Sequence, residues 1–455
     1  MLRWRPVLRH LAIAGVVSTS LAAKLASANP DSVVPTAADP GKPIDFFVHI
    51  DYEYTSDKSS IVRERAGDPS ANPLGPVPVF NDLEFKQTSH VVTPRIDMGV
   101  FHDTWLSVAL PVVISQSHEL DLGNGVDRNT SSTIEDGLLP SGGFDASDPS
   151  NPLGGNAVFK GVTRKGLDQV HLGLGFAPMN QHRDDTKPTW KMGGEFRLSV
   201  GKIMRFDPAN PSAETGVSTG VHELRLWTTV DKKLGWVEPW FELYWQLPVG
   251  QRSESLFQNP GFGATNVALS QTAGVGFGLD TYLVDDNANG NRISLDLGAH
   301  AVAHFEGRGY SEMWEVFALA GDPRTNGPLV LDADPVMPGV QALAHPGITN
   351  IENYLETRAR ASIRAELAHR VMFSAFGEAV WKTDHAITFA NAGVDLPTCS
   401  ATVTTNCETD DNDTVNPGTA EVNPLHKALI DLVGHRYIST HGFSVVVGVE
   451  TLFLF

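Results

Sequence analysis

Residues 352–368 alternate with a period of two, and both halves of the alternation are extreme. Leu355, Thr357, Ala359, Ala361, Ile363, Ala365 and Leu367 fall on one parity, and Glu356, Arg358, Arg360, Ser362, Arg364 and Glu366 on the other. Successive side chains of a strand point to opposite faces, so this segment makes a strand with one wholly apolar face and one densely charged face. No stretch of 18 or more apolar residues occurs in the chain after its first thirty residues, so no helix in that part can cross a membrane. A chain that meets lipid with strands alone must close them into a barrel, because an open sheet edge leaves backbone groups unpaired in hydrocarbon.

The same alternation recurs along the chain. In 166–180, Val170, Leu172, Leu174 and Phe176 oppose His171, Gly173, Gly175 and Ala177. In 291–306, Ile293, Leu295, Leu297, Ala299 and Ala301 oppose Asp296, His300 and His304. Twelve such runs are expected, near 44–56, 83–101, 104–118, 166–180, 187–203, 218–231, 236–249, 266–283, 291–306, 352–368, 371–385 and 435–455. Each exceeds the roughly 9 to 11 residues of a tilted membrane strand. The connections sort by length: short turns lie at His102-Asp103, His182 to Asp185, Lys232 to Gly235, Asp285 to Gly290 and His369-Arg370. Long segments lie near 57–82, 119–165, 204–217, 250–265, 307–351 and 386–434. Short periplasmic turns and long external loops are the pattern of bacterial barrels. The expected fold is therefore all-β, a single up-and-down antiparallel transmembrane barrel of about twelve strands over 44–455. A periplasmic segment, 29–43, precedes it. A short helix is expected in 311–320, where Trp314, Phe317 and Ala318 share a face.

The first residues carry Arg3, Arg5 and Arg9 ahead of an apolar stretch from Leu11 to Ala23 and the small-residue site Ala26-Ser27-Ala28, which reads as an export signal peptide cleaved after Ala28. The chain's net charge is −19, and removing four positive side chains with the signal takes it to about −23, which speaks against a nucleic-acid partner. The two cysteines, Cys399 and Cys407, lie in one loop and are expected to form a local disulfide.

The charged parity of each strand gives the expected lumen lining: Asp51 and Glu53; Arg95 and Asp97; Lys191, Glu195 and Arg197; Glu223 and Arg225; Glu238 and Glu242; Asp296, His300 and His304; Glu356, Arg358, Arg360, Arg364 and Glu366; Glu378 and Lys382; and Glu450, with His49 and Gln246 on the same parity. Mixed signs allow ion-pair ladders between neighbouring strands. Two readings follow: a structural one, in which the polar lumen pairs internally, and a permeation path in which Arg358, Arg360 and Arg364 face acids on an opposing wall and set a transverse field. Tyr52, Tyr54, Trp105, Trp190, Trp236, Trp240, Tyr244 and Trp245 lie near strand ends and are expected to mark the membrane interfaces.

No cofactor, resident metal or enzymatic activity is expected. His300 and His304 are four residues apart on a strand, a poor chelating distance. The loop 406–416, with Glu408, Asp410, Asp411 and Asp413, lacks the EF-hand pattern. The GxSxG, HExxH and P-loop patterns do not occur. A rim-located lipid hydrolase would need a Ser, a His and an orienting group on the lipid side, and His222, on the parity of Leu224 and Leu226, is the candidate.

The closing segment GFSVVVGVETLFLF places Phe443, Val445, Val447, Val449, Phe453 and Phe455 on one face and ends in Phe. It resembles the β-signal of bacterial outer-membrane proteins, in which a terminal aromatic and alternating apolar residues are recognised by the barrel-assembly machinery. That resemblance implies an outer-membrane address, with lipid and lipopolysaccharide as surroundings. About half the chain, carried by FHDTWLSVALPVV, by Leu167 to Pro178 and by KPTWKMGGEFRLSVGK, is similar to barrel transporters assigned to aromatic-degradation pathways, which implies passage of small or apolar molecules. The N-terminal plug motif of long-chain fatty-acid channels is not apparent in 29–43. Together these readings give an outer-membrane channel or passive transporter for small solutes. The alternatives are a closed structural or surface-interaction barrel, or the rim-located hydrolase.

Overall fold

The computed structural model describes residues 33–39, 42–65, 77–257, 268–286, 288–332, 341–395, 414–416 and 421–455. Residues 1–32, which include the expected signal peptide, lie outside these, as do Cys399, Cys407, Glu408, Asp410, Asp411 and Asp413.

Twelve long strands run antiparallel and close on themselves. They are β1 (Phe46–Glu64), β2 (Val79–Phe101), β3 (Thr104–Ala109 and Val112–Leu122), β4 (Arg164–Leu167 and Gln169–Met179), β5 (Thr189–Ser199), β6 (Val221–Asp231), β7 (Val237–Gln251), β8 (Thr272–Asp286), β9 (Asn291–His304), β10 (Tyr354–Leu367), β11 (Val371–Lys382) and β12 (Tyr437–Leu454). Each pairs with the next in sequence, and β12 closes the ring on β1 from Tyr437↔Arg63 to Leu454↔Phe47. Closure leaves no sheet edge to satisfy. β3 breaks at Leu110-Pro111 because proline cannot donate to the ladder, and β4 breaks opposite it at Asp168, whose N–H is taken by the Pro111 carbonyl at 3.2 Å.

The alternation orders the two surfaces. Leu172, Leu174 and Phe176 of β4, Leu295, Leu297 and Ile363 of β9 and β10, and Phe443, Val445, Val447 and Val449 of β12 face outward and are exposed. On β1 to β3 the outward face changes character along the strand. Ile50, Tyr52 and Ile96 give way, beyond Tyr52 and His90 (joined at 2.8 Å), to Ser56, Thr88 and Ser117, then Lys58, Lys86, Glu84 and Asp121. The nineteen residues of β1 span about 60 Å, so even with tilt the strand outreaches a hydrocarbon core roughly 30 Å thick. The polar rows mark where β1 to β3 leave the apolar band.

Inside those projecting ends the lining turns apolar. Ile61, Leu83, Phe85, Leu120 and Leu122 pack against residues of the long connections, among them Leu138, Leu139, Phe159, Val316, Phe317, Leu329, Phe389 and Ile430. Among the described residues, three short α-helices lie in these connections: α1 (Ser132–Glu135), α2 (Trp314–Ala320) and α3 (Ala428–Asp431). All seven residues of α2 are buried. The loops thus fold into a cap with its own core over one end of the barrel.

Polar bolts tie the cap to the strands. Arg63 of β1 donates to the carbonyls of Ser132 and Leu429, each at 3.0 Å, and lies over the Tyr437 ring. Asp82 accepts the backbone N–H groups of Ser132 and Thr133, at 3.0 and 2.9 Å. Arg164 donates both Nε and Nη2 to Glu315 of α2, stacks on Trp314 and also bonds the carbonyls of Arg205, Glu214 and Gly216.

The opposite end carries the short turns. Here Val33–Asp39 crosses the mouth: Val34 packs with Trp105 and Ala177, and Val33 packs beside Phe47, Met372 and Leu452. Thr36 donates its N–H and hydroxyl to Asp45, and Ala37 and His102 exchange backbone bonds at 3.0 and 2.8 Å. A Cβ on Gly99 would stand 2.2 Å from the Thr36 carbonyl oxygen, so this close approach requires glycine.

Candidate functional site: the barrel lumen

Between the cap and the segment Val33–Asp39, three cavities follow one another along the barrel axis. The one at the short-turn end has a volume of about 180 Å³, the middle one about 140 Å³ and the one under the cap about 90 Å³. The first two share Asp51, Thr93, Pro111, His171 and Glu450 as lining, and the middle and outer ones share Gln246, Thr272 and His304. They stand in series as an axial chamber divided at two places.

All the side chains on the charged parity lie inward. Asp51, Glu53, His304, Glu356, Arg358, Arg360, Glu378, Lys382 and Glu450 line the middle cavity. Arg95, Asp97, Lys191, Glu195, Arg197, Arg225, Glu242 and Arg364 line the cavity at the short-turn end, Glu223 lines the outer one, and His300 lies beside Arg358 and Glu242. Glu238, Asp296 and Glu366 are buried deeper in the wall. Glu238 takes a bond from Gln181 at 2.6 Å and Asp296 one from the Trp240 indole at 2.7 Å.

The ion pairs run along single strands and laterally between nearby ones. Arg225 meets Glu242 at 3.0 Å, Arg197 meets Glu195 at 2.7 Å and Arg95 meets Asp97 at 2.8 Å. Arg358 joins Glu356 and Glu378, Arg360 reaches Glu450 at 2.7 Å two strands on, and Arg364 reaches Asp280 at 3.1 Å two strands back. Of the two arrangements expected for the arginine row, these contacts are the ion-pair ladders of neighbouring side chains. Rotamer reach favours acids on the same wall, 5 to 8 Å away in a ladder, over those across the chamber. The asymmetry is of another kind. Six of the seven carboxylates and all three basic side chains of the middle cavity lie on β1 and β10 to β12, while the facing wall carries Asp168 among Gln87, Ser89, Val91, Thr93, Val113, Gln116, Tyr244 and Val302.

Three of the aromatics expected at the membrane interfaces point inward instead. Trp105, Trp240 and Tyr244 are buried in the lumen wall, whereas Tyr52, Trp236 and Trp245 are exposed outside. The inward ones obey a rule that sequence reading missed. Each lies over a glycine directly across the ladder: Trp105 on Gly175, Trp227 on Gly193, Trp240 on Gly278, Tyr244 on Gly274 and Phe376 on Gly448. A Cβ on any of these glycines would come within 3 Å of the ring. The alternate glycines of β8, Gly274, Gly276 and Gly278, facing Tyr244 and Trp240 of β7, are the signal from which this packing was readable.

His222, the hydrolase candidate, is half-buried on the outward face, stacked against Phe196, and its Nδ1 accepts the backbone N–H of Ser199 at 3.2 Å. Its ring is thus engaged with backbone, with no Ser hydroxyl or acid bonded to it among the described residues. His304 stacks on Tyr354 at 4.1 Å and Tyr354 on His385 at 4.6 Å. Among the described residues no group of three or more His, Cys, Asp or Glu is placed to hold a metal.

No protein-family model matches the chain, and no curated protein matches it. Among solved structures, a Pseudomonas aeruginosa FadL homologue aligns at 8% identity over 90% of each chain, with a TM-score of 0.30. The TodX monoaromatic hydrocarbon channel, as a deltaS2 mutant, aligns at 9% over 90% of each chain, with a TM-score of 0.30. The outer membrane protease OmpT of Escherichia coli aligns at 7% over 90% of this chain and 97% of its own, with a TM-score of 0.28. Alignments of this depth, spanning channels and a protease, say nothing about what this chain does.

Proposed function

We propose that the chain is an outer-membrane channel that passes small solutes through a charged lumen, closed at rest by the cap outside and by Val33–Asp39 at the periplasmic mouth. The observation that carries this reading is the axial chamber itself. A structural barrel gains nothing from cavities in series along its axis, whereas a path needs them, and shared lining residues set each cavity against the next. The apolar outer band supports a lipid environment, and the rows of Lys58, Lys86, Glu84 and Asp121 above it suit lipopolysaccharide headgroups. Phe443 to Phe455 serves as the insertion signal read by the barrel-assembly machinery.

The middle cavity sets selectivity. Seven carboxylates line it, against three basic side chains, while the cavity at the short-turn end is lined by five of each. Cations are therefore favoured in the middle cavity. We read no catalytic role into the barrel, since His222 is spent on packing and a backbone bond.

Liposome swelling tests the proposal. Vesicles holding the folded barrel are expected to admit small cations faster than small anions of equal size. Converting Arg358, Arg360 and Arg364 to Glu is expected to widen that gap, and equal rates for both signs in the unaltered protein would contradict the reading.

A further inference from the structure

The cap-side rim of the barrel is not uniform in charge. Where β4 to β7 end, four basic side chains come together on the outer surface: Lys165 of β4, Lys202 and Arg205 just beyond β5, and Arg252 just beyond β7. Backbone contacts fix this grouping. Arg252 donates to the Gly201 carbonyl at 2.7 Å, Arg205 to the Glu254 carbonyl and Lys202 to the Ala213 carbonyl, while the N–H of Lys165 meets the Thr215 carbonyl at 3.0 Å. Arg164 turns into the cap toward Glu315, so by alternation Lys165 turns out, and it is exposed.

Among the described residues two carboxylates pair with this group, Glu214 with Lys202 and Glu254 with Arg252, each at 3.4 Å. Asp207 nearby is taken by Arg324. Lys165 and Arg205 enter no ion pair among the described residues, and residues 258–267, which follow Arg252 and Glu254, carry no charge. A local surplus of positive charge thus stands on a chain of net charge −19. The rim differs elsewhere. On β1 to β3, Lys58 and Lys86 stand among Glu84, Glu119 and Asp121, and Lys86 is bonded to Asp121. Over β9 to β11, Glu306, Glu352 and Asp384 are exposed.

The basic group stands directly on apolar surface. Val200, beside Gly201, and Val249, near the end of β7, are exposed, and Leu172, Phe196 and Leu226 continue the band below them. An anion held at this rim has apolar surface beneath it. A free anion gains nothing from that surface, whereas a lipid headgroup brings chains that cover it. Cationic heads drawn from three separate segments suit a group with several charged oxygens, which favours phosphate over a single carboxylate.

We propose that Lys165, Lys202, Arg205 and Arg252 hold the phosphorylated headgroup of one outer-leaflet glycolipid, whose acyl chains lie on Val200, Val249 and the band below. This rests on the outer-membrane reading for the lipid, and on no solute passing through the lumen. The mixed row on β1 to β3 meets headgroups without retaining one.

Native mass spectrometry of the full folded chain in detergent, titrated with diphosphoryl lipid A, tests it. One lipid per barrel is expected to bind at least about tenfold more tightly than the same lipid stripped of its phosphates, and about a thousandfold excess of inorganic phosphate is expected not to displace it. Lys165→Gln, at a side chain with no ion pair to lose, is expected to weaken binding about threefold, and Lys165→Gln with Arg205→Gln about tenfold or more. Lys58→Gln with Lys86→Gln is expected to change it less than about twofold, with heat-shifted gel mobility unchanged throughout. Equal binding of the phosphate-free lipid, displacement by inorganic phosphate, equal losses from the two pairs of substitutions, or no bound lipid would each overturn the proposal. Lipid held without conductance would remove the channel reading and leave this site standing, and conductance without held lipid would do the reverse.

Discussion

The sharpest tests at the residue scale lie in the cap. Glu312 is 2% exposed, accepts the Ser439 hydroxyl at 2.9 Å, and has its pKa raised to about 7 by burial. A carboxyl whose folded pKa is raised favours the folded cap at pH below its ordinary value of 4.5, and that advantage is lost as pH rises to about 7. His345, packed on Phe389 and pushed down to about 3 by burial, works in the opposite direction, its contribution being lost as pH falls below 6.5. The two offset each other between, so a difference measurement isolates Glu312. Protection of the loops from proteolysis, unaltered chain minus Glu312→Gln, is expected to fall between about pH 5 and 7 and to stay level above pH 8. A difference independent of pH would contradict the burial of Glu312. Arg164 gives a second test. Arg164→Met leaves the buried Glu315 without its guanidinium, with only His118 and the Val162 N–H beside it, and loss of one member of such a pair costs about 3–5 kcal/mol, so the loops of the variant are expected to be cleaved at protease concentrations that spare the unaltered protein.

Among the elements, the ring-over-glycine pairs set how the wall is built. Gly274→Val would push a side chain into the Tyr244 ring, 2.2 Å from where its Cβ would stand, and is expected to cost about 1–3 kcal/mol in thermal unfolding followed by gel mobility. Tyr244→Ala in the same chain is expected to restore part of the loss, because the clash is with that ring; no restoration would mean the glycine serves the backbone instead. The strands were legible in sequence because period two survives wherever one face meets apolar surroundings and the other a polar chamber, as in 352–368. The projecting half of β1, beyond residue 56, was not, since there the inward face becomes apolar, as at Ile61, and the outward face polar, as at Lys58. The lumen parity of Arg358 and its neighbours was legible, but their partners were not, since periodicity gives a side chain's face and not its reach. Trp240 and Tyr244 share parity with Glu238 and Glu242, so their inward placement follows from periodicity and not from residue type.

For the molecule as a whole, the axial chamber has a barrier at each end, and the two differ. The cap is a packed core spread over three long connections, whereas Val33–Asp39 is held by a few backbone bonds, the Thr36–Asp45 pair and two small apolar contacts. Neither barrier was visible in the sequence: the cap core is assembled from residues as distant as Leu83 and Leu425, and the segment 29–43 carries no pattern that announces where it docks. The thinner barrier is the one to remove. In a planar bilayer, the purified barrel is expected to give stepwise currents that prefer cations, and a chain lacking residues 33–38 is expected to give larger unit steps with the same preference. Silence from both chains, with folding confirmed by heat-shifted mobility, would contradict a solute path through this lumen.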